Sequence, residues 1–208
     1  MRRAVWGSVF LSMALAVASV AQVASAAPVA SAVPRNENLV RMWTTILQTP
    51  SAQNPFGNPP GGSPCWNLGD DTVAPFGPSG VDSCTVKPDT KIFGAWASWE
   101  CSTFPPDHPE FGTTEDQLRA CARQYDAQQA PSVKVDRHPV RVTAVETRLF
   151  DIVLPPHNIL GEPAGHGASV AHGWITLLQP LTPGTHEIVI DSGTAPAITT
   201  TIIVKREH

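Results

Sequence analysis

Hydrophobic residues follow two different periods along this chain. Between residues 39 and 47 they recur at spacings of three and four, which predicts a short amphipathic helix, although Thr44 and Thr45 leave a strand as the alternative. A second helix is predicted over residues 114–128, where Thr114-Glu115-Asp116-Gln117 has the form of a capping box. Its apolar face consists of Leu118, Cys121, Ala122 and Tyr125.

Most other apolar segments are short and suit β-strands, several of them alternating with a period of two. They cover residues 73–76, 83–87, 91–99, 148–154, 170–179, 186–191 and 198–204. A β-hairpin is predicted around residues 136–139, with Val133 and Val135 on one arm and residues 140–144 on the other. Short strands between Pro- and Gly-rich turns predict a mainly β fold: an antiparallel β-sandwich, jelly-roll or immunoglobulin-like, with one inserted α-helix. If that helix packs into the core, the class becomes α+β.

The first residues have the pattern of an export signal. Arg2 and Arg3 precede an apolar run over residues 4–21, and Ala24 and Ala26 occupy the small-residue positions of a cleavage site. We expect a signal peptide over residues 1–26 and no membrane span after processing. A retained anchor is less favoured because the run is rich in Ala and Ser, which insert weakly.

Composition supports a secreted, extracellular or periplasmic domain. Residues 27–37 are small residues and prolines that predict a flexible N-terminal arm, which leaves residues 38–208 as a single β-rich domain. The net charge is −4 and the charges are scattered, so nucleic acid and anionic membranes are not expected partners. With 21 prolines and 15 glycines, a turn-rich extracellular domain is favoured over a helical cytosolic one.

The four cysteines, Cys65, Cys84, Cys101 and Cys121, point to disulfides, because an even count in an exported protein favours bridges over free thiols. Four cysteines allow three connectivities, and we favour Cys65 with Cys84 and Cys101 with Cys121. A zinc site is disfavoured because the sequence lacks the closely spaced cysteine pairs that such sites use.

Several short motifs occur in a familiar order. They include Cys84-Thr85-Val86, Trp99-Glu100-Cys101-Ser102, Leu118-Arg119-Ala120-Cys121-Ala122 and a closing Leu-x-Pro-Gly-x-His over residues 181–186. In this order the chain resembles a group of secreted bacterial proteins of unassigned function. The resemblance implies export, a β-rich fold and the pairing of Cys101 with Cys121, and it transfers no catalytic residue.

Histidine is the main candidate for chemistry. His157, His166, His172 and His186 lie within thirty residues, and their convergence would suit a transition metal, with Asp151 or Glu162 as a further ligand. Singly hydrogen-bonded histidines are the more favoured interpretation. His186 in particular follows a Pro-Gly corner, where sandwich domains often place a Tyr that bonds back to the backbone.

Motifs for other catalytic classes are missing from the sequence. The segment 167–171, with Ser169 at its centre, lacks the final glycine of a hydrolase nucleophile elbow, and no cofactor-binding motif occurs, so no cofactor is predicted.

Tryptophans are the candidates for a ligand surface. Trp96 and Trp99 differ by three positions, so on one regular strand they face opposite ways, and Trp174 is a further candidate. The sequence therefore favours a non-catalytic binding or envelope-associated module with a glycan or cell-envelope ligand. The alternative is a secreted metal-assisted or carboxylate hydrolase that uses the region from His157 to His186.

Overall fold

The computed structural model describes residues 35–54, 65–75, 83–104, 106, 108–125, 130–193 and 196–206. These residues form a mainly β fold with two helices and two sheets, which confirms the predicted fold class. The helices are α1 (Arg35–Leu47) and α2 (Glu115–Tyr125). The strands are β1 (Cys65–Gly69), β2 (Thr72–Pro75), β3 (Ser83–Val86), β4 (Lys91–Ser102), β5 (Ser132–Val135), β6 (His138–Val140), β7 (Thr143–Glu146), β8 (Phe150–Leu154), β9 (Gly165–Leu178), β10 (Gly184–Asp191) and β11 (Ile198–Val204).

The predicted leader and residues 27–34 of the predicted arm lie outside the described residues. Helix α1 begins at Arg35, inside the segment that was expected to be flexible. Of the described helices, none has the length and apolar character needed to cross a membrane.

The strands form two sheets of mixed direction. The large sheet has the order β1-β2-β4-β9-β7, with β8 also paired to β9, and the small sheet has the order β3-β11-β10-β5-β6. Two pairs, β2 with β4 and β3 with β11, are parallel, which departs from the purely antiparallel expectation. The chain leaves the large sheet after β2, forms β3 in the small sheet and returns as β4. Such a crossover lets two strands of one sheet run in the same direction.

Strand β9 shows how the layers are arranged. Its odd-numbered residues, such as Ala171 and Ile175, join a core beneath α1, and α1 covers this face of the large sheet. Its even-numbered residues face the opposite way: Leu178 packs against the small sheet, and Val170 packs against α2. The large sheet therefore has α1 on one face and both α2 and the small sheet on the other.

Side-chain hydrogen bonds cap the end of α1 and the start of α2. At the end of α1 the Asn54 side chain donates to the carbonyl of Ile46 at 2.6 Å, which satisfies one of the last carbonyls of the helix. At the start of α2 the Thr114 hydroxyl accepts from the Gln117 amide at 3.3 Å, as a capping box requires. The Gln117 side chain reaches back one residue further than predicted and accepts from the Thr113 amide at 2.8 Å.

The predicted hairpin is formed by β5 and β6, but its second arm is shorter than expected. Asp136 and Arg137 make the turn with φ of 49° and 70°, so two non-glycine residues occupy the left-handed region that a two-residue turn needs. The Asp136 carboxylate accepts from the Glu187 amide at 2.9 Å, and this bond fixes the turn against β10. Residues 143–146 form β7 in the large sheet, because they pair with β9 and not with β5.

His186 ties the corner after β9 to this hairpin. Its Nδ1 lies 2.6 Å from Asp136 Oδ2, and its Nε2 lies 2.7 Å from the carbonyl of Thr182. Both partners are acceptors, so the ring satisfies both only when it carries two protons. Burial disfavours the charged ring, but the bonds to Asp136 and Thr182 outweigh it and raise the pKa of His186. The bond to Thr182 is the back-bonding role that the sequence suggests for this corner.

Replacing His186 by asparagine should lower the free energy of unfolding by roughly 1–3 kcal/mol, because Asp136 Oδ2 and the Thr182 carbonyl lose the ring that donates to them, while Asp136 Oδ1 keeps the Glu187 amide. Since the pKa of His186 is raised, its contribution should be complete below its ordinary value of 6.5 and should be lost as pH rises through the folded-state value. Urea denaturation across this pH range measures the effect. The exposed His166, replaced in the same way, is the control, and equal losses from the two variants would contradict the assignment.

Candidate functional site

The site begins with an irregularity in β4. Its pairing with β9 runs from Ile92 to Ser102, but the register shifts between Ala95 and Ala97, where a bulge adds one residue. Before the bulge Phe93 and Ala95 pack beneath α1. The extra residue brings Ser98 to this same face, where it bonds to α1. Without the bulge, Ser98 and Glu100 would face the small sheet.

The other edge of β4 has little strand pairing. In the described part of the chain, β2 pairs with β4 only at Lys91 and Ile92. The next described β-bridge at this edge is the isolated one between Ser102 and Phe111. Backbone bonds reinforce this bridge, since Ser102 donates to the carbonyl of Glu110 at 3.0 Å and accepts from Gly112 at 3.1 Å. Between Ile92 and Ser102, the edge of β4 that faces away from β9 has no described strand paired to it.

A cavity of about 440 Å³ lies at this stretch. Its lining includes every residue from 95 to 100. Because consecutive strand residues point to opposite faces, such a lining places the cavity at the edge of β4 and not over one face. The larger apolar side chains around it are Met42, Trp43, Trp96, Trp99, Phe104 and Leu160.

Trp43 connects the cavity to α1. Its indole nitrogen donates to the Ser98 hydroxyl at 2.9 Å, and Ser98 donates onward to the carbonyl of His172 at 2.9 Å. The position of the Trp43 ring is therefore set by β4 and β9 together. Met42 is the neighbouring lining residue on the helix, and it is buried in the core beneath α1.

Glu100 is the buried carboxyl group of the cavity lining, with only 8% of its surface exposed. Its carboxylate accepts a hydrogen bond from the Ser169 hydroxyl of β9. Burial is the main cause that raises the pKa of Glu100 from 4.5 to about 7; bonds from Ser169 and Ser102 oppose this, and the negative charge of Glu110 adds to it. Near neutral pH the side chain therefore exchanges readily between its acid and its carboxylate.

His108 and Glu110 line the cavity from the segment after β4, and His108 Nδ1 contacts Glu110 Oε2. Among the described lining residues they are the remaining titratable groups, and none of these residues is a lysine or arginine. In the described part of the chain no cationic side chain pairs with Glu100. The cavity therefore holds a buried carboxyl group without a counter-ion.

Of the three tryptophans that the sequence predicts for a ligand surface, two line the cavity. Trp96 and Trp99 both line the cavity, and the bulge beside Trp96 removes the regular alternation on which their opposite orientation was based. Trp99 is 38% exposed, and its β9 partner in the sheet is His172. Trp96 packs so closely over Gly94 that a methyl group at Gly94 would overlap its ring. Trp174 pairs with Ala97 and does not line the cavity.

The structure does not gather the predicted histidines. His166 and His172 lie six residues apart on β9, which corresponds to roughly 20 Å along a strand. His157 lies in the loop before β9, and His186 is held by Asp136 and Thr182 on the small sheet. Across the described residues, no group of three or more His, Cys, Asp or Glu side chains is placed to hold a metal ion.

Sequence reasoning did not select Glu100 or Glu110 as site residues. The available signal is an acidic residue inside an otherwise apolar strand, between Trp99 and Cys101. Ser169, considered above only as a failed nucleophile elbow, lies within strand β9 and serves as the donor to Glu100. The edge of β4 and its bulge depend on pairing between strands that are far apart in the chain.

No protein-family model matches this chain, and a search of curated proteins finds no match to it. Its function is therefore inferred from the chemistry of the cavity.

Proposed function

We propose that this protein is a secreted, non-catalytic binding domain whose cavity at the edge of β4 takes up a small, mainly apolar ligand. The observation that carries the proposal is a cavity of about 440 Å³ walled by Trp43, Trp96, Trp99 and Phe104 around one buried carboxyl group. Concave, aromatic sites with a few placed polar groups are the usual form of small-molecule sites.

Few of the described lining residues are polar, so they can orient a ligand but cannot form the many hydrogen bonds that a sugar requires. Glu100 offers a hydrogen-bonding group at the wall. A glycan presents many hydroxyl groups that would lose water without enough partners here, which favours an apolar ligand over the glycan considered from sequence.

Export is part of this proposal. The two disulfides, Cys65–Cys84 and Cys101–Cys121, fit an oxidising compartment. The pattern of Arg2, Arg3 and the apolar run after them supports removal of residues 1–26 on secretion. Membership of a group of secreted bacterial proteins is likewise a proposal, and it rests on the short motifs around the cysteines.

The proposal predicts saturable binding of a neutral apolar probe. N-phenyl-1-naphthylamine should bind with one-to-one stoichiometry and a rise in its fluorescence, because the cavity removes its rings from water. Trp43→Leu, which removes one aromatic wall, should weaken binding about tenfold. Trp174→Leu is the matched control, since Trp174 lies outside the cavity, and it should bind like the wild type.

Thermal unfolding of both variants shows whether they remain folded, so that weaker binding by a folded Trp43→Leu protein can be assigned to the missing aromatic side chain. Failure of the wild-type protein to bind the probe, or equal weakening by the two folded variants, would refute the proposed binding site.

A further inference from the structure

We propose that the cavity at the edge of β4 selects organic cations, with Glu100 as the anionic partner and the surrounding tryptophans as the walls that receive the charged group. This inference rests on the proposed binding function, and it adds the chemical class of the ligand.

The first argument is charge. The described lining residues include two carboxyl groups, Glu100 and Glu110, and none of these described residues is a lysine or arginine. Glu110 contacts His108, whereas Glu100 has no cationic partner among the described side chains. Burying a carboxylate without a counter-charge is costly, and the high pKa of Glu100 reflects that cost. A ligand that carries a positive charge would supply the missing counter-charge, while an anion would be repelled by both carboxyl groups.

The second argument is the composition of the walls. The faces of Trp rings attract cations through their quadrupole, and the attraction is larger when the cation is shielded from water. Trp43, Trp96 and Trp99 line the same cavity as Glu100. Transfer from water into an apolar site costs less free energy for ammonium groups with apolar substituents than for small inorganic cations, so these groups suit a mostly apolar lining. The volume of about 440 Å³ leaves room for an apolar body attached to the charged group.

The third argument concerns how the carboxylate is held. The Ser169 hydroxyl donates to Glu100 from β9, which holds the carboxylate against the wall of the cavity. Among the described lining residues, the titratable groups besides Glu100 are His108 and Glu110, and the α1 residues Met42 and Trp43 are uncharged. Occupancy by a cation should therefore follow the ionisation of Glu100.

The test compares three ligands of equal size that differ in charge. 1-Naphthylmethylamine, 1-naphthalenemethanol and 1-naphthoate compete with N-phenyl-1-naphthylamine on the purified protein at about pH 8, where the amine is protonated and Glu100 is mostly ionised. We expect the amine to bind about tenfold more tightly than the alcohol, and the naphthoate about tenfold more weakly. In Glu100→Gln the preference for the amine over the alcohol should fall to about twofold.

Two controls make the result specific. Glu187→Gln removes one exposed negative charge on the small sheet, so it should keep the full preference for the amine. Lowering the pH of the wild-type protein to about 6 should reduce the preference without any substitution, because Glu100 then takes up its proton.

Equal competition by amine and alcohol in the wild-type protein would overturn the cation proposal, as would an unchanged preference in Glu100→Gln or an equal loss in Glu187→Gln. In each of these cases the apolar probe still binds and the proposed function stands. Absence of any probe binding would instead overturn the proposed function itself.

Discussion

Glu100→Gln should make the protein more stable than the wild type at alkaline pH, by roughly 3 kcal/mol at about pH 9. The wild-type protein must ionise a buried carboxyl group, and the difference between 4.5 and about 7 in its pKa is equivalent to that free energy. Because the folded-state pKa is raised, the protonated group favours folding most fully below pH 4.5, and this contribution is lost as pH rises through about 7. Glutamine keeps an acceptor for Ser169 and has no charge to bury.

Urea denaturation of both proteins between about pH 4 and 9 measures this effect. The two stabilities should converge at the acidic end and separate above neutrality. His186 also has a raised pKa, but it is present in both proteins and cancels in the difference. Glu187→Gln provides the control for loss of one exposed carboxylate. If the free energies of unfolding of the wild type and Glu100→Gln changed in parallel with pH, ionisation of Glu100 would not destabilise the folded state, which would contradict the prediction.

Removal of the Cys101–Cys121 disulfide should lower the free energy of unfolding by about 3 kcal/mol, the loop-closure value for a separation of 20 residues. A second, local effect should accompany it. The buried core between α2 and the large sheet is small, and Cys101 itself is part of it together with Leu118, Ala122 and Val170. Without the bridge, α2 keeps mainly this core and the ion pairs of Arg119 and Arg123 with Glu146.

Hydrogen exchange on the double variant Cys101→Ala/Cys121→Ala measures the local effect. Amides of α2 should lose more protection than those of β10 and β11, which belong to the small sheet. The matched control is Cys65→Ala/Cys84→Ala, whose bridge spans a similar 19 residues but joins β1 to β3. It should cost about the same free energy without selective opening of α2. Selective loss in both variants, or in neither, would contradict the anchoring role.

Local sequence signals predicted much of the fold because they act over a few residues. The capping box at Thr114 and the apolar face after it identify α2, which the structure describes over Glu115–Tyr125, and the predicted end at about residue 128 lies outside the described residues. Strand β11 has the predicted bounds, Ile198–Val204. The favoured cysteine pairing is also confirmed, since both bridges join neighbouring cysteines in the chain.

The candidate site was predicted poorly, and the reason is physical. Whether Glu100 faces solvent or a core depends on the bulge between Ala95 and Ala97, which exists because β4 is paired against β9 more than seventy residues away. One extra residue reverses the face of everything after it. The predicted histidines do not share a site for a related reason. His166 and His172 lie far apart on one strand, and His186 lies in the other sheet, so their closeness in sequence does not bring the side chains together.

The sequence by itself determined the secondary-structure periods, the capping of α2 and the mainly β class, which depend on residues close together in the chain. It favoured one of three cysteine pairings, and the structure decided between them. Tertiary structure alone decided the parallel strand pairs, the bulge in β4, the edge of that strand and the burial of Glu100 beside Ser169. These features come from the packing of distant segments, and burial is what raises the pKa of Glu100. The chemistry of the site therefore arises from the way the sheets are assembled.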